Sequence, residues 1–332
     1  YTTYELVLGF ISLNVPKLIG VGGLLLVILV AGAALFWKSL GWSYETWKRI
    51  HYASYVILPA VFLHSLLLGT TMSASPLMRV YFSALLGSWV LLVATRIVRR
   101  LRVRSNPHTV ADVRRESHDT VSLYFDGPVP DFAPGQFMIV NLSRGKRWSE
   151  SHPYTISSSP TDDRLRLSAK AIGDFSASVA DVQPGSRALI EAPYGAFSYE
   201  LVPDAPLVFV AGGIGITPFL SQLRHMRAAH PMRRVRLIWG NKTRADIAFD
   251  DELSAAQQEL HDFSLVHVLS HEEWDGETGF VTDEIIRKYV DDIDSSHFFV
   301  CGPPVMMNVV IPMLGDMGVD SSRIHYERFA LG

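Results

Sequence analysis

The sequence predicts a multidomain protein, with a helical membrane segment, then an antiparallel β-barrel, then an α/β domain built on a parallel sheet. Three observations lead to this fold class. Long apolar runs are confined to the start of the chain, short evenly spaced strands follow them, and strands alternate with helices in the last part. We place the three domains at residues 1–104, 105–203 and 204–332.

Three segments of the first domain are long and apolar enough to cross a bilayer. Residues 18–37 read LIGVGGLLLVILVAGAALFW and contain no charge. Crossing the hydrocarbon core of a membrane takes about 20 such residues. Similar segments lie near residues 48–69 and 77–98, so we predict three spans and an integral membrane protein.

Basic residues indicate the orientation of these spans. They follow the third span and fill the loop between the first two: Arg96, Arg99, Arg100, Arg102, Arg104, Lys38, Lys48 and Arg49. Such residues are typical of cytoplasmic ends, so we expect the domains after residue 104 to be cytoplasmic. The single cysteine, Cys301, excludes an internal disulfide and fits a reducing compartment. The net charge of −3 says little about partners, and the sequence has no basic stripe with interleaved aromatics to indicate a nucleic-acid partner.

Two histidines bound an apolar stretch of the second span, HYASYVILPAVFLH. Ionisable or metal-binding residues inside a span are costly, so His51 and His64 are candidate ligands of haem iron. Their separation corresponds to about 20 Å along a helix, which suits two haems stacked across a membrane. An ideal helix would leave the two rings about 140° apart, and Pro59 between them offers a site for a kink.

Two stretches of the barrel domain are candidates for a nucleotide site. HPYTISSSP, residues 152–160, is a strand with hydroxyls at alternate positions, and GDFSASV, residues 173–179, has a glycine turn and a short helix start. Backbone N–H groups at a helix start favour a pyrophosphate. Each stretch alone is weak evidence, since a strand rich in Ser and Thr is more often an edge strand than a cofactor site.

A second nucleotide-type turn follows the first strand of the α/β domain. In GGIGITP, the glycines Gly212, Gly213 and Gly215 allow close approach to a pyrophosphate, and Thr217 and Pro218 start a helix. CGPP, with Cys301, Gly302 and Pro303, ends a later strand and places a thiol where a nicotinamide ring would lie. The alternative for Cys301 is a small buried apolar residue.

Coenzyme preference depends on the loop GNKTRAD. Lys242 and Arg244 stand where a fold selective for NAD tends to offer an acidic residue to the ribose hydroxyl. This contrast favours NADPH slightly over NADH. Basic residues in an exposed loop are also often only solvated.

The motifs PGQF, HPYT, GDFS, PYGAF, GGIGITP, CGPP and a final YERF occur in this order after residue 104. In this order they resemble the ferredoxin–NADP reductase superfamily, and in particular the dehydrogenase domain of NADPH oxidases and ferric reductases. The resemblance implies an FAD site formed by His152, Pro153, Tyr154, Thr155, Gly173, Asp174, Phe175, Ser176 and Phe329. It implies catalytic roles for Thr155, Cys301 and Phe329, with Phe329 covering the flavin; a packed core aromatic is the alternative for Phe329.

The stretch WKRIHYASY…FLHSLL is similar to the fifth helix of the ferric reductase transmembrane domain, a six-helix bundle that holds two haems b. The resemblance makes the three spans the fourth, fifth and sixth helices, and makes Arg79 a candidate partner of a haem propionate. Residues 1–104 contain no histidine besides His51 and His64. Because the chain begins at Tyr1, we expect a missing N-terminal segment or a partner subunit to supply the other haem ligands.

The function we predict is transmembrane electron transfer from cytoplasmic NAD(P)H through FAD and two haems b to dioxygen or a ferric chelate outside. One alternative is a membrane-anchored NAD(P)H–flavin reductase that feeds a separate partner protein without haem. A second alternative, from another class, is a non-catalytic membrane subunit that senses nucleotide.

Overall fold

The chain divides between Leu101 and Arg102 into a helical unit and a larger unit that holds all the strands of the described chain. The computed structural model describes residues 15–69, 74–145 and 147–328. Phe329, which the sequence places over the flavin, lies outside the described residues.

The helical unit contains four described helices: α1 (Val15–Phe36), α2 (Tyr44–His51), α3 (Ser54–Leu68) and α4 (Pro76–Ser105). By length and composition, three stretches of helix are able to cross a membrane: Lys17–Phe36, Thr46–Leu68 and Pro76–Ser105. They coincide with the three predicted spans, and the last continues seven residues beyond the predicted end at residue 98.

The second span is interrupted at a different place from the one the sequence suggested. The helix is continuous through Pro59, and the break lies at Tyr52 and Ala53, directly after His51. The Ser54 hydroxyl donates a hydrogen bond to the His51 carbonyl at 2.6 Å, which satisfies one of the last carbonyls of α2. Pro59 therefore does not separate the two histidines into two helices; the break after His51 does.

Apolar side chains of the helical unit point mostly outward. Neither α3 nor α4 has a buried residue, and Leu24, Leu77 and Leu92 are each at least 60% exposed. Leaving so much apolar surface in water is costly, so this distribution suits helices that face lipid.

The first part of the larger unit is an antiparallel sheet with one core. Its strands are β1 (His108–Arg115), β2 (Thr120–Asp126), β3 (Phe137–Arg144), β4 (Arg147–Trp148), β5 (His152–Thr155), β6 (Leu165–Lys170) and β7 (Arg187–Tyr194). The order is β4-β3-β7-β1-β2-β6, with β5 also paired to β3. Alternate residues of these strands, such as Leu123, Met138 and Leu167, fill the core. A short helix, α5 (Asp174–Ser178), follows β6.

The second part is a parallel six-stranded sheet. Its strands are β8 (Leu207–Gly212), β9 (Val235–Asn241), β10 (Phe263–Leu269), β11 (Glu277–Thr278), β12 (His297–Gly302) and β13 (Ile324–Arg328). The order is β11-β10-β9-β8-β12-β13, so the direction of winding reverses between β8 and β12. The predicted domain boundary at residues 203–204 lies between the two sheets.

Helices cover both faces of the parallel sheet. On one face α6 (Thr217–Ala229) and α7 (Asp250–Glu259) pack through residues such as Phe219 and Leu253. On the other face α8 (Asp283–Tyr289) and α9 (Pro304–Asp316) pack through Ile286 and Met307. Near-continuous burial of β8 follows from this double cover, because both of its faces meet helices. The fold confirms the predicted barrel followed by an α/β domain.

Charged side chains join the antiparallel sheet to the parallel domain. We call this group the ionic clamp; its members are Asp119, Asp162, Arg166, Lys170, Arg224, Asp246 and Glu252. The guanidinium of Arg166 is fully buried and pairs with Glu252, which also accepts a hydrogen bond from Arg224 at 2.9 Å. Burial alone would raise the pKa of Glu252, but Arg166 and Arg224 hold it below its ordinary value.

Lys170 occupies the second half of the ionic clamp. Its ammonium lies 2.7 Å from Asp246 and 3.2 Å from Asp119. His118, Asp119 and Asp246 form the cluster of metal-type donors among the described residues. Because the Lys170 ammonium already lies between the two carboxylates, we assign no metal to this cluster.

Candidate functional site

The reversal of winding brings the two glycine motifs of the α/β domain together. In such sheets ligands bind outside the carboxyl ends of the strands, at the point where the strand order reverses. We call this region the ligand edge; it comprises the ends of β8, β9, β10 and β12 at Gly212, Asn241, Leu269 and Gly302. GGIGITP and CGPP are both located there, as the sequence predicts.

Three of these glycines are required by packing between the two motifs. A Cβ on Gly215 would lie 2.3 Å from the Cys301 carbonyl oxygen, and one on Gly302 would lie 3.0 Å from the backbone of Gly212. A Cβ on Gly212 would lie 2.8 Å from Pro303. The sequence assigned Gly212 and Gly215 to a pyrophosphate and Gly302 to the coenzyme site, but their immediate role is to let the motifs at the ends of β8 and β12 touch.

Gly213, unlike the other two glycines of GGIGITP, has free space around its Cα. Its φ is +49°, and a Cβ there would meet nothing within 4 Å. The indole of Trp239 donates a hydrogen bond to the Gly213 carbonyl at 2.9 Å, which fixes the turn. The helix then begins at Thr217, with Pro218 in its first turn, as predicted. This turn gives a phosphate an accessible backbone next to a helix start.

Cys301 is fully buried in the core of the α/β domain. Burial raises the pKa of its thiol well above the ordinary value, and nearby Glu327 adds to the shift. This full burial agrees with the alternative of a small buried residue. Its predicted contact with nicotinamide stays a prediction that requires neighbouring groups to move.

Glu327 is a site residue that the sequence argument passed over, although it stands within the quoted YERF. It pairs in register with Cys301, and burial raises the pKa of its carboxyl. Its carboxylate is 3.7 Å from the position of a Cβ on Gly195, which belongs to the PYGAF motif. The carboxyl group thus lies where the barrel and the ligand edge meet.

The predicted FAD residues of the barrel come together across β5 and α5. The rings of His152 and Phe175 stack with centroids 3.7 Å apart, and Tyr154 lies 6.1 Å from Phe175. Burial raises the pKa of Tyr154 to about 12, so its phenol stays protonated at physiological pH. Thr155 is buried at the end of β5, whereas Pro153 is exposed.

The GDFS turn has an exposed glycine and an internal cap. A Cβ on Gly173 would meet nothing within 4 Å. The Ser176 hydroxyl accepts hydrogen bonds from the backbone N–H groups of Gly173 and Ile172, at 2.9 and 3.1 Å. Ser176 therefore caps the helix from inside its first turn, and Asp174 begins that helix.

The two cations predicted for a 2′-phosphate differ in their surroundings. Lys242 is exposed, and its carbonyl accepts a hydrogen bond from the His271 N–H at 2.9 Å. Arg244 pairs with Glu272 at 3.3 Å and with Asp275 at 3.4 Å. The slight preference for NADPH assumed an available Arg244 charge, which these carboxylates neutralise.

Two further polar side chains at the ligand edge lack partners within the described chain. Both amide atoms of Asn241 and Nδ1 of His267 are buried without a hydrogen bond. The two residues lie on neighbouring strands next to Trp239. Leaving such groups unpaired costs about 1–3 kcal/mol each, so a ligand or water that paired with Asn241 would be favoured. The sequence contained a signal for Asn241, because a polar residue at the end of an otherwise apolar strand indicates a candidate binding position.

The two histidines of the helical unit have unequal environments. The ring of His51 is exposed and stacks on Trp47 with centroids 5.1 Å apart. The ring of His64 is half-buried against α1, since a Cβ on Gly20 would lie 2.4 Å from its Cε1. The structure therefore gives His64 a packing role between α1 and α3.

Two family models match the larger unit. Residues 105–198 match the FAD-binding domain family, and residues 209–311 match the oxidoreductase NAD-binding domain family. The matches cover the antiparallel sheet and most of the parallel sheet, in the order that the motifs predict.

Curated proteins are similar to this chain over about two thirds of its length. The chain is 28% identical over 235 residues to flavohemoprotein A of Dictyostelium discoideum, with 64% of this chain and 57% of that protein covered. It is 29% identical over 232 residues to the reductase component of propane 2-monooxygenase of Rhodococcus jostii, with 66% and 62% covered. The chain thus spans about six tenths of the length of these relatives.

A solved structure supports the fold. The ferredoxin NADP+ reductase from Neisseria gonorrhoeae, with bound FAD and NADP, superposes with a TM-score of 0.59 and 25% identity. The match covers 67% of this chain and 97% of that one.

Proposed function

We propose a function from the premise that this chain carries an FAD-binding domain and an oxidoreductase NAD-binding domain of the ferredoxin–NADP reductase family. The proposed function is that of an NAD(P)H-dependent flavin reductase that delivers electrons to a separate partner protein. The observation that carries it is the meeting of the barrel and the ligand edge within one structural unit.

The residues present fit FAD. The open glycine turn at Gly173, the neutral phenol of Tyr154 and the stacked pair His152 and Phe175 offer backbone, hydroxyl and aromatic groups on one side of the barrel. Bound FAD would supply the ability to take a hydride from NAD(P)H and to release electrons one at a time. These side chains would hold and orient it, with the phenol of Tyr154 as a hydrogen-bond donor.

The ligand edge fits a dinucleotide. Gly213 presents accessible backbone beside the start of α6, and Asn241 offers an unpaired carboxamide on the neighbouring strand. The clamp residues Arg166 and Glu252 join the two domains and would thereby hold the ligand edge, with its coenzyme, close to the FAD-binding residues of the barrel. A relative named as a reductase component supports transfer to a partner protein.

The helical unit would anchor the reductase in a membrane. Three helices long and apolar enough to span, with outward apolar side chains, support this part of the proposal. The arginines at the end of α4 support a cytoplasmic location of the FAD and NAD domains.

A test uses the full chain in detergent, loaded with FAD, and follows reduction of ferricyanide with NADH or NADPH. We expect turnover with at least one coenzyme, and a loss of turnover when FAD is removed and not replaced. FAD-loaded protein that oxidises neither coenzyme would contradict the proposal.

A second candidate function is electron transfer through haem b to dioxygen or a ferric chelate. Two imidazoles on a candidate span favour it, because imidazole is a common axial ligand of haem iron. The donor set is half of what two bis-histidine haems need, since residues 1–104 offer only His51 and His64. We therefore assign no step to haem. A b-type visible spectrum of the full chain that is lost in His64→Ala would support this candidate. A full chain without a b-type spectrum would rule it out.

A further inference from the structure

We propose that the loop after β10 makes this reductase select NADH over NADPH, through carboxylates that hold Arg244. The proposal rests on the proposed function and names its coenzyme. The loop comprises residues 270–276 and follows the carboxyl end of β10, so it lies at the same edge of the parallel sheet as the ends of β9 and β8. A dinucleotide bound at this edge would place its adenosine end near the loop.

Glu272 holds Arg244 through two contacts. Its carboxylate accepts a hydrogen bond from the Arg244 backbone N–H at 2.8 Å and lies 3.3 Å from Nε of the guanidinium. The side chains of Arg244 and Glu272 are 56% and 35% exposed, so water screens this pair, and the backbone contact is what fixes the position of the carboxylate. Contact with both backbone and side chain places the carboxylate firmly beside the GNKTRAD loop.

Trp274 and Asp275 hold the other side of the guanidinium. The Arg244 guanidinium lies 5.5 Å from the Trp274 ring centroid, and Asp275 lies 3.4 Å from its Nη2. Trp274 is itself fixed, because its indole donates to the Glu277 carbonyl at 2.7 Å. Gly276 leaves room for that ring, since a Cβ there would lie 2.3 Å from it. Arg244 is thus stacked on an aromatic ring and paired on two sides.

The carboxylates that pair with Arg244 are the basis for selection. Glu272 and Asp275 place two negative charges beside the guanidinium, against the two positive charges of Lys242 and Arg244. A 2′-phosphate, which is close to a dianion, would have to break the Arg244 pair and approach the Glu272 carboxylate. A ribose 2′-hydroxyl, in contrast, is a hydrogen-bond donor that a carboxylate accepts.

The test compares kcat/KM for NADH and NADPH on the FAD-loaded full chain with ferricyanide as acceptor. We expect about tenfold preference for NADH in the unchanged protein, and about a tenfold rise in kcat/KM for NADPH in Glu272→Gln. Glutamine keeps an oxygen that accepts the Arg244 N–H, so the loop should keep its fold. Glu273→Gln removes a neighbouring charge that makes no ion pair with Arg244, and should change the ratio by less than about twofold.

A double variant identifies the cation that the carboxylate masks. Adding Arg244→Gln to Glu272→Gln should abolish the gain with NADPH, while Arg244→Gln alone, which leaves both carboxylates without their cation, should lower kcat/KM for NADPH further. A preference for NADPH in the unchanged protein, or equal gains in Glu272→Gln and Glu273→Gln, would overturn the proposal. Calorimetric binding of NAD+ and NADP+ gives the same comparison without turnover, so failure of the reductase activity is distinguishable from failure of the selectivity.

Discussion

The charged side chains of the ionic clamp are paired, whereas two polar side chains at the ligand edge have buried atoms without a hydrogen-bond partner among the described residues. In the clamp each charge faces an opposite charge, and even the fully buried guanidinium of Arg166 has two carboxylate contacts with Glu252. At the ligand edge, the buried amide of Asn241 and Nδ1 of His267 have no partner among the described residues. A paired network contributes to holding two domains in one arrangement, whereas unpaired groups favour the arrival of a ligand.

The pKa shifts of carboxyl groups in the two regions have opposite directions. In the clamp, despite burial, Lys170 and Thr243 hold the pKa of Asp246 below its ordinary value. On β13, next to the ligand edge, burial raises the pKa of Glu327. The clamp therefore favours ionised carboxylates, while the surroundings of Glu327 favour the protonated form. The four predictions below test this contrast.

The largest expected effect comes from breaking the clamp. Glu252→Ala leaves the buried guanidinium of Arg166 without its carboxylate, which we expect to reduce the free energy of unfolding by about 3–5 kcal/mol. Glu259→Ala removes an exposed pair with Arg227, which water screens, and should cost much less. Urea titration of both variants measures the difference, and equal losses would contradict the clamp's role.

The second prediction concerns the close approach of the GGIGITP and CGPP motifs at the ligand edge. Gly215→Ala places a Cβ against the Cys301 carbonyl, so we expect a loss of about 1–3 kcal/mol and weaker coenzyme binding. Gly315→Ala in α9 has open space, and should stabilise by up to about 1 kcal/mol through helix propensity. Thermal unfolding and calorimetric binding check both; tolerance of Gly215→Ala would refute the packing argument.

The third prediction concerns pH. The folded-state pKa of Glu252 is lowered, so its contribution is present above its ordinary pKa of 4.5 and is lost as pH falls through the folded value. The folded-state pKa of Glu327 is raised, so its contribution is present below 4.5 and is lost as pH rises through the folded value. We expect Glu252→Ala to flatten the acid side of the stability profile and Glu327→Gln to flatten the opposite side.

The smallest expected effect on stability is at Asn241. Replacing its unpaired amide by the similarly shaped leucine, Asn241→Leu, should leave the free energy of unfolding unchanged or raise it by about 1 kcal/mol. The same change should weaken NADH binding by about tenfold, because a bound dinucleotide would lose a hydrogen bond. Loss of stability with unchanged binding would show that Asn241 serves the fold.

The architecture of the larger unit was predictable because periodicity is local. Alternating strands followed by strand–helix units indicated the two sheets, and the motifs GGIGITP and CGPP indicated turns at the ends of two strands. The short strands β4 and β11 were not predicted, because two residues carry no period.

The details of the site depended on contacts between distant segments. Arg244 was read as available because Glu272 and Asp275 lie about thirty residues later in the sequence. Gly215 and Gly302 were assigned to a ligand because their mutual approach exists only in the folded sheet. The break after His51 also escaped prediction, since Pro59 was the stronger local signal for a distortion.

Because Cys301 is buried, its reaction with a thiol reagent is a probe of local opening in the α/β domain. A thiol reagent reaches this side chain only in molecules that have opened locally, and the sequence has no second cysteine to react in the background. The rate of labelling in native buffer therefore reports the opening equilibrium at the end of β12. Slower labelling in the presence of coenzyme would measure, without any turnover, how strongly the bound dinucleotide closes the site.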